Sequence, residues 1–284
     1  MSPGLRIYSR WMRDRTRSTI GWTIGLVIIV VVTAAFYPSL AESTGDSLEN
    51  SSGAMGAMLG LSGGIDPSTP LGYLWIGLYA NIVPWVLMAL GIALGTAAIA
   101  GDEDTGVLEY LLARPVPRTS IAISRFAAAV SILFIVSALS ALSLVASIPL
   151  FQLGDAVTRP AADGTTVSVA GATAGDVAAG TFASFAIALG VTGLAFLIGG
   201  ITGRKSMTLS ISSAITIGSY VLYTVSESTG ALDAITWVSA WRWYIDDAML
   251  INGLSWAVLL PFALATVCFG VGWQWFLRRD LQTP

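Results

Sequence analysis

The sequence has no histidine, a single cysteine and little charge. Without histidine it lacks the commonest metal ligand and the commonest general base. Cys268 lies inside an apolar run and has no second cysteine with which to form an internal disulfide. Charged residues make up 11% of the chain, less than half of the roughly 25% carried by a soluble domain. A phosphate-binding P-loop is also missing. The nearest approach, Gly203-Arg204-Lys205-Ser206 with Gly199 and Gly200 upstream, places arginine before the only lysine and follows an apolar run instead of a strand. It reads as a turn. These absences argue against a soluble enzyme and against a nucleotide site on this chain, and nucleic acid is not an expected partner.

What the chain has in abundance is apolar surface. Hydrophobic residues make up 55% of its 284 positions, and the mean hydropathy is +0.75. Such a chain needs a bilayer as solvent. Apolar runs occur at about residues 20–38, 77–99, 121–150, 178–201, 206–224 and 254–277, each near or above the roughly 20 residues that a spanning helix requires. The expected fold class is therefore all-α: a polytopic membrane protein with six transmembrane helices in one permease-like domain, residues 1–284. The first run follows basic residues, as a secretory signal does, but it exceeds the roughly 7–15 residues of a signal core. It is expected to be a retained span.

The basic residues set the orientation. Arg6, Arg10, Arg13, Arg15 and Arg17 precede the first span; Arg114, Arg118 and Arg125 follow the second; Arg204 and Lys205 follow the fourth; Arg278 and Arg279 follow the sixth. Twelve of the fourteen basic residues thus fall on one side, and only Arg159 and Arg242 on the other. Acidic residues lean the opposite way, with Glu42, Asp46, Glu49, Asp66, Asp155, Asp163, Asp176, Glu227, Asp233, Asp246 and Asp247 in the alternate loops. Both termini are expected in the cytoplasm, in the cell membrane of a prokaryote.

The connections differ in character. Segments 39–70 and 151–177 are rich in small polar residues and read as loosely ordered outer loops. The third outer segment, 225–253, carries Trp237, Trp241, Trp243 and Tyr244, with Trp256 beyond. Such aromatics favour a membrane interface, so short re-entrant or interfacial helices are expected there. Pro84 should kink the second span by removing a backbone donor. The pairs Gly21/Gly25 and Gly91/Gly95 permit close helix approach, and packing within the subunit is the expected use of each. Serines 206, 210, 212, 213 and 219 of the fifth span could line a passage or bond to neighbouring helices. Met55 and Met58, without Cys or His nearby, are a weak soft-metal pair.

Two cytoplasmic segments carry a mechanism. In residues 3–18, Arg6, Arg10, Arg13 and Arg17 form one helical stripe, with Tyr8, Trp11 and Met12 opposite. This predicts an interfacial helix, in which Arg15 must snorkel or end the helix. After the second span, the acidic cluster Asp102 to Asp104 suits a helix N-terminus. Val107, Leu108, Leu111 and Leu112 then share a face, Arg114 suits the C-terminus, and Pro115 disfavours helix before it. A short helix with an apolar face outside the membrane needs something to cover that face, either a protein partner or the lipid headgroups.

The run Glu103-Asp104-Thr105-Gly106, then Leu108-Glu109-Tyr110-Leu111-Leu112 and Arg114-Pro115-Val116-Pro117-Arg118, resembles the cytoplasmic signature of ABC type 2 permeases. Residues 239–254 resemble the external re-entrant motif of that family, and Phe276-Leu277-Arg278-Arg279-Asp280-Leu281 is similar to the ending of permeases paired with drug-export ATPases. The resemblance implies six spans, an N-terminal interfacial helix and a coupling helix between spans two and three. That helix would dock on a separate ATPase subunit through Glu103, Thr105, Gly106, Leu108, Glu109, Leu112, Arg114, Pro115 and Arg118. It further implies a second permease copy, identical or closely related. ATP and magnesium would be bound by the ATPase and no cofactor by this chain.

Three other functions compete with an ATP-driven exporter of hydrophobic or amphipathic molecules. A self-powered secondary transporter or channel usually holds an ionisable residue within the membrane or paired broken helices. An intramembrane enzyme needs an acid–base pair that loop carboxylates and no histidine do not supply. A non-transporting scaffold is open to no such objection.

Overall fold

Apolar runs without internal charge can satisfy their backbone only by coiling, and helices dominate the computed structural model. It describes residues 3–41, 65–66, 69–104, 106, 116–160, 166–229 and 236–279. Six helical segments are long and apolar enough to cross a membrane: Thr16–Pro38, Pro70–Ala98, Arg118–Ser147, Ala174–Thr202, Lys205–Glu227 and Trp256–Arg278. All six expected spans are found. The second begins about seven residues earlier than its apolar run, and the third reaches back to Arg118. We call the end of the bundle that carries Arg6, Arg118 and Arg279 the basic end, and the other the acidic end.

The chain opens with α1 (Pro3–Asp14), then α2 (Thr16–Ala41), the first span. As expected, Arg15 ends the first helix, and its guanidinium lies 3.7 Å above the centre of the Trp11 ring. Burial lowers the Arg15 pKa while the nearby Asp102 carboxylate pulls it up. The second span is composite. Thr69 caps α3 (Pro70–Leu74), its hydroxyl accepting from the Gly72 amide at 3.1 Å, with proline at a position that needs no donor. A π-helical turn, Trp75–Tyr79, follows, and after a break at Ala80 and Asn81 the chain resumes as α4 (Ile82–Ala98). The interruption therefore precedes Pro84 and does not sit on it. Pro84 falls in the first turn of α4, where backbone N–H groups have no intrahelical acceptor and proline removes nothing.

A one-turn helix, α5 (Ala100–Asp104), ends the described part of the second span. The third span is α6 (Arg118–Ser147). The following loop was expected to lack order, but it contains strands β1 (Val157–Pro160) and β2 (Thr166–Val169), paired antiparallel with Val157 opposite Val169 and Pro160 opposite Thr166. The β-branched Val157, Thr158, Thr166, Val167 and Val169 were the missed signal. A reciprocal capping box between Thr173 and Asp176 starts α7 (Ala174–Thr202). Then come α8 (Lys205–Thr229), α9 (Ala240–Ile245), α10 (Met249–Asn252), a 3₁₀ turn at Trp256–Val258 and α11 (Leu259–Arg278).

Helix α7 is the axis. It is packed on several sides by α4, α6, α8 and α11, and 83% of its most apolar stretch is buried, against 17% for α2 and 22% for α8. Glycine makes the tight crossings possible. A Cβ at Gly91 would stand 2.5 Å from the Thr192 hydroxyl and 2.8 Å from the Ala188 carbonyl, and one at Gly95 2.5 Å from the Thr192 carbonyl. Gly91 and Gly95 thus serve packing inside the subunit, as expected. Gly21 and Gly25 do not, because added Cβ atoms there would meet nothing within 4 Å. They line an open groove on α2 with Ser18, Trp22, Leu26 and Val86. Residues 42–64, including Met55 and Met58, lie outside the described residues.

Candidate functional site

The chemistry-bearing residues of the described chain gather at the basic end. The acidic cluster Asp102 to Asp104 was expected to open a longer cytoplasmic helix. It lies within α5, which ends at Asp104, and the Gly106 amide turns back to the Glu103 carbonyl at 3.0 Å with a left-handed φ of 72° at Gly106. The rest of the expected helix lies outside the described residues. Two of the three carboxylates lie in the first turn of α5 and are held by arginines. The Arg125 Nη2 of α6 meets Asp102 Oδ2 at 2.6 Å, while its Nη1 donates to the Ala98 carbonyl at 3.0 Å. Arg125 is 2% exposed. A guanidinium so deep is tolerable because a carboxylate and a carbonyl share its charge.

Glu103 is buried and forms an ion pair with Arg279, the residue just after α11. Arg279 also donates from Nη1 to the Ile201 carbonyl near the end of α7, at 3.4 Å. From the other side of the loop, Arg118 donates to the Arg279 carbonyl at 2.9 Å. Gly203 caps α7 in the left-handed conformation, at φ 65°. Any Cβ there would collide with the Arg279 guanidinium and with Glu103 Oε1, so glycine is demanded twice. Of the coupling candidates, Glu103, Gly106 and Arg118 therefore sit at the two stems of one loop. Thr105, Leu108, Glu109, Leu112, Arg114 and Pro115 lie outside the described residues.

Helix α1 lies beside this cluster with its faces sorted as the spacing predicts. Arg6, Arg10, Arg13 and Arg17 are exposed, Trp11 is buried against α6, and the Tyr8 hydroxyl donates to Ser131 at 2.9 Å. The apolar face thus rests largely on protein, leaving the arginine stripe outward.

At the acidic end the aromatic segment needs correction. Trp237 is 53% exposed and Trp243 is half-buried, as interfacial residues would be, but Trp241 and Tyr244 are 1% and 2% exposed. Trp241 packs on Trp85 and Tyr220 with ring centres 4.9 Å apart in both pairs. The Tyr244 hydroxyl donates to the Tyr79 carbonyl at 2.5 Å and lies 2.8 Å from the Ser184 hydroxyl; burial raises its pKa. Composition alone could not separate these aromatics, but helical spacing could: Trp241 and Tyr244 stand three apart on one face of α9 and Trp237 outside it. Close by, Asp246 accepts from the Tyr223 hydroxyl at 3.0 Å and pairs with Arg242 at 3.3 Å. Burial raises the Asp246 pKa, with Tyr223 and Arg242 opposing.

A third feature is a lateral groove of about 290 Å³ between α4 and α8, lined by Trp85, Met88, Ile92, Leu209, Ser213 and Thr216. Of the serines of the fifth span, Ser213 lines this groove and Ser219 bonds Ser239 at 3.0 Å.

Six long apolar helices, one of them buried at the centre, with most of the charged contacts among the described residues at one end, define an all-α multi-pass membrane protein. The family described as ABC-2 family transporter protein matches residues 5–226, and the chain belongs to it. No curated protein matches the chain. It is a transmembrane permease of an ABC-type system, which points to a transport subunit and not a catalytic one.

Proposed function

We propose that the chain is the membrane half of an ATP-driven exporter, with the basic end in the cytoplasm and the loop between Asp104 and Arg118 received by a separate ATPase subunit. The observation that carries this reading is the anchoring of both stems of that loop. Glu103 and Arg118 are fastened to Arg279, and Asp102 to Arg125, so a force on the loop has firm attachments to the bundle. The family membership and the arginine distribution support the same orientation. Two copies, or one and a close relative, would complete the transporter, and the poorly covered α2 and α8 leave surface for the second. The cargo is hydrophobic or amphipathic, in keeping with a groove walled by Trp85, Met88 and Ile92 with the hydroxyl-bearing Ser213 and Thr216.

A self-powered carrier draws no support from the one deep charge in a span. Arg125 is matched by Asp102 at the basic end, so its charge is used to fasten α6 to α5. The test is to purify the tagged chain from its own membrane in mild detergent. A stoichiometric ATPase is expected, and it should be lost or uncoupled on Glu109→Lys or Leu112→Asp while the spans stay inserted. A homo-oligomer repeatedly free of ATPase would overturn the proposal, and variants with full ATPase binding and ATP-driven transport would remove the loop from it.

A further inference from the structure

We infer that Arg279 is a positioning residue that joins both stems of the 104–118 loop to the inner ends of α7 and α11, so that movement of the loop is delivered to those two helices together. The inference rests on the proposed function for the source of the force, but the joint itself is a property of this chain. One arginine makes three links. Its guanidinium pairs with Glu103 on the entering stem and donates to the Ile201 carbonyl of α7 at 3.4 Å, while its own carbonyl accepts from Arg118 on the leaving stem at 2.9 Å. Because Arg279 directly follows α11, its amide still bonds back to the Trp275 carbonyl at 3.0 Å, and the joint is continuous with the sixth span.

Surface ion pairs transmit little because both partners move freely in water. This one is different. The Glu103 and Arg279 side chains are 5% and 15% exposed, and the missing Cβ of Gly203 leaves the space that the pair occupies. A buried, hydrogen-bonded charge pair resists separation because each partner would be left uncompensated. Helix α7 is also the most buried element of the bundle, so displacing its basic end moves the packing of α4, α6 and α11 with it.

The experiment measures hydrogen exchange on the full-length chain in lipid nanodiscs. In Arg279→Gln, amides of residues 100–106 should exchange about tenfold or more faster, the scale of losing one hydrogen bond to a charged group, while central α7 amides keep their protection. Arg279→Lys, which retains the charge but cannot bridge Glu103 and Ile201 together, should lie between. The exchanged pair Glu103→Arg with Arg279→Glu should recover most of the protection. Arg118→Gln, which removes the bond to the Arg279 carbonyl, should speed exchange likewise at residues 118–121. An entering stem that exchanges as in the wild type in both Arg279 variants, or a leaving stem unchanged in Arg118→Gln, would overturn the inference, as would uniform loosening of the whole chain that the exchanged pair does not repair. The second arm uses the co-purified ATPase complex trapped with ATP and vanadate. In the wild type the trap should alter exchange at residues 199–204 and 274–279, and in Arg279→Gln that response should shrink at least about twofold, within the range of coupling energies carried by physical networks. An undiminished response would also overturn it. Failure to isolate any ATPase would refute the proposed function and leave the first arm to decide on the joint.

Discussion

Tyr244→Phe isolates one hydroxyl on which the acidic end of the bundle depends. The second span is broken at Ala80 and Asn81, and the Tyr79 carbonyl at the end of its π-turn takes the Tyr244 hydroxyl at 2.5 Å. Removing that hydroxyl affects two neighbours unequally. Ser184 retains its bond to the Gly180 carbonyl at 2.9 Å, so its loss is small. The Tyr79 carbonyl, deep between α7 and α9, has no comparable substitute. A buried acceptor left without its donor costs about 1–3 kcal/mol in water-soluble proteins, whereas measured hydrogen bonds between transmembrane helices average about 0.6 kcal/mol. The site lies between these limits, and we expect Tyr244→Phe to cost about 1–2 kcal/mol. Ser184→Ala, which removes only the better-backed partner, should cost about 0.6 kcal/mol or less. Tyr244→Ala also loses the stack on Trp75, whose ring centre is 5.8 Å away, and should cost about 3 kcal/mol or more. Reversible unfolding in mixed micelles, with accessibility of Cys268 as the readout, gives all three values. A Tyr244→Phe variant as stable as the wild type, or one as damaged as Tyr244→Ala, would refute the reasoning, since the first makes the hydroxyl idle and the second assigns it the work of the ring.

Four further outcomes follow from the same coordinates. Gly91→Val should destabilise by about 1–3 kcal/mol through forced separation of α4 from α7, whereas Gly21→Ala should change stability by no more than about 0.5 kcal/mol; equal effects at the two sites would contradict the packing assigned to them. Asp102→Asn leaves the buried Arg125 with only a carbonyl and should cost about 2–3 kcal/mol, while Asp104→Asn, whose side chain is exposed, should be near neutral in the same unfolding assay. Asp246 binds its proton more tightly folded than unfolded, because burial raises its pKa, so its ionised form opposes folding above the ordinary Asp value and stability should rise as pH falls through the raised pKa. Asp246→Asn should remove that rise, and an unfolding profile of unchanged pH dependence would show that Asp246 does not contribute to it.

The spans were legible because a bilayer imposes one rule, that apolar runs must be helices of sufficient length. The faces of α1 were equally plain, since Trp11 and the four arginines separate by angle alone. Interruptions were harder to place. Pro84 is the visible breaker, yet the break falls at Ala80 and Asn81, because proline is harmless in a first turn. The strands of residues 157–169 were obscured by their small polar neighbours. Nor could counting basic residues reveal that Arg125 and Arg279 are held inside the protein. Their partners, Asp102 and Glu103, lie 23 and 176 positions away, and pairing over such distances is set by how helices pack and not by any local pattern. For the same reason Glu103, read from its motif as a partner contact, turned out to face Arg279.

The two ends of the bundle are fastened by different chemistry, and the difference has a mechanical meaning. At the basic end the links are arginine–carboxylate pairs and an arginine–carbonyl bond around Arg279 and Arg125. At the acidic end the bonds between helices are mainly neutral, from Tyr244 to Tyr79 and Ser184 and from Tyr79 to Thr181 at 2.8 Å. The Arg242–Asp246 pair there, 3.3 Å apart, is local and partly exposed, and Asp246 also accepts from Tyr223. Charge-assisted bonds are roughly twice as strong as neutral ones, and a buried pair cannot part without leaving both charges exposed to a poor solvent. Hydroxyl networks exchange partners more cheaply, as Ser184 can by falling back on Gly180. A permease that receives force at one end and rearranges at the other needs that asymmetry. If the ends were equally rigid the spans could not part, and if they were equally soft a push on the loop would be lost in the stems. The break at Ala80 and Asn81 lies on the compliant side of this division, next to Tyr79, where the second span can bend without disturbing the ion pairs that hold its basic end.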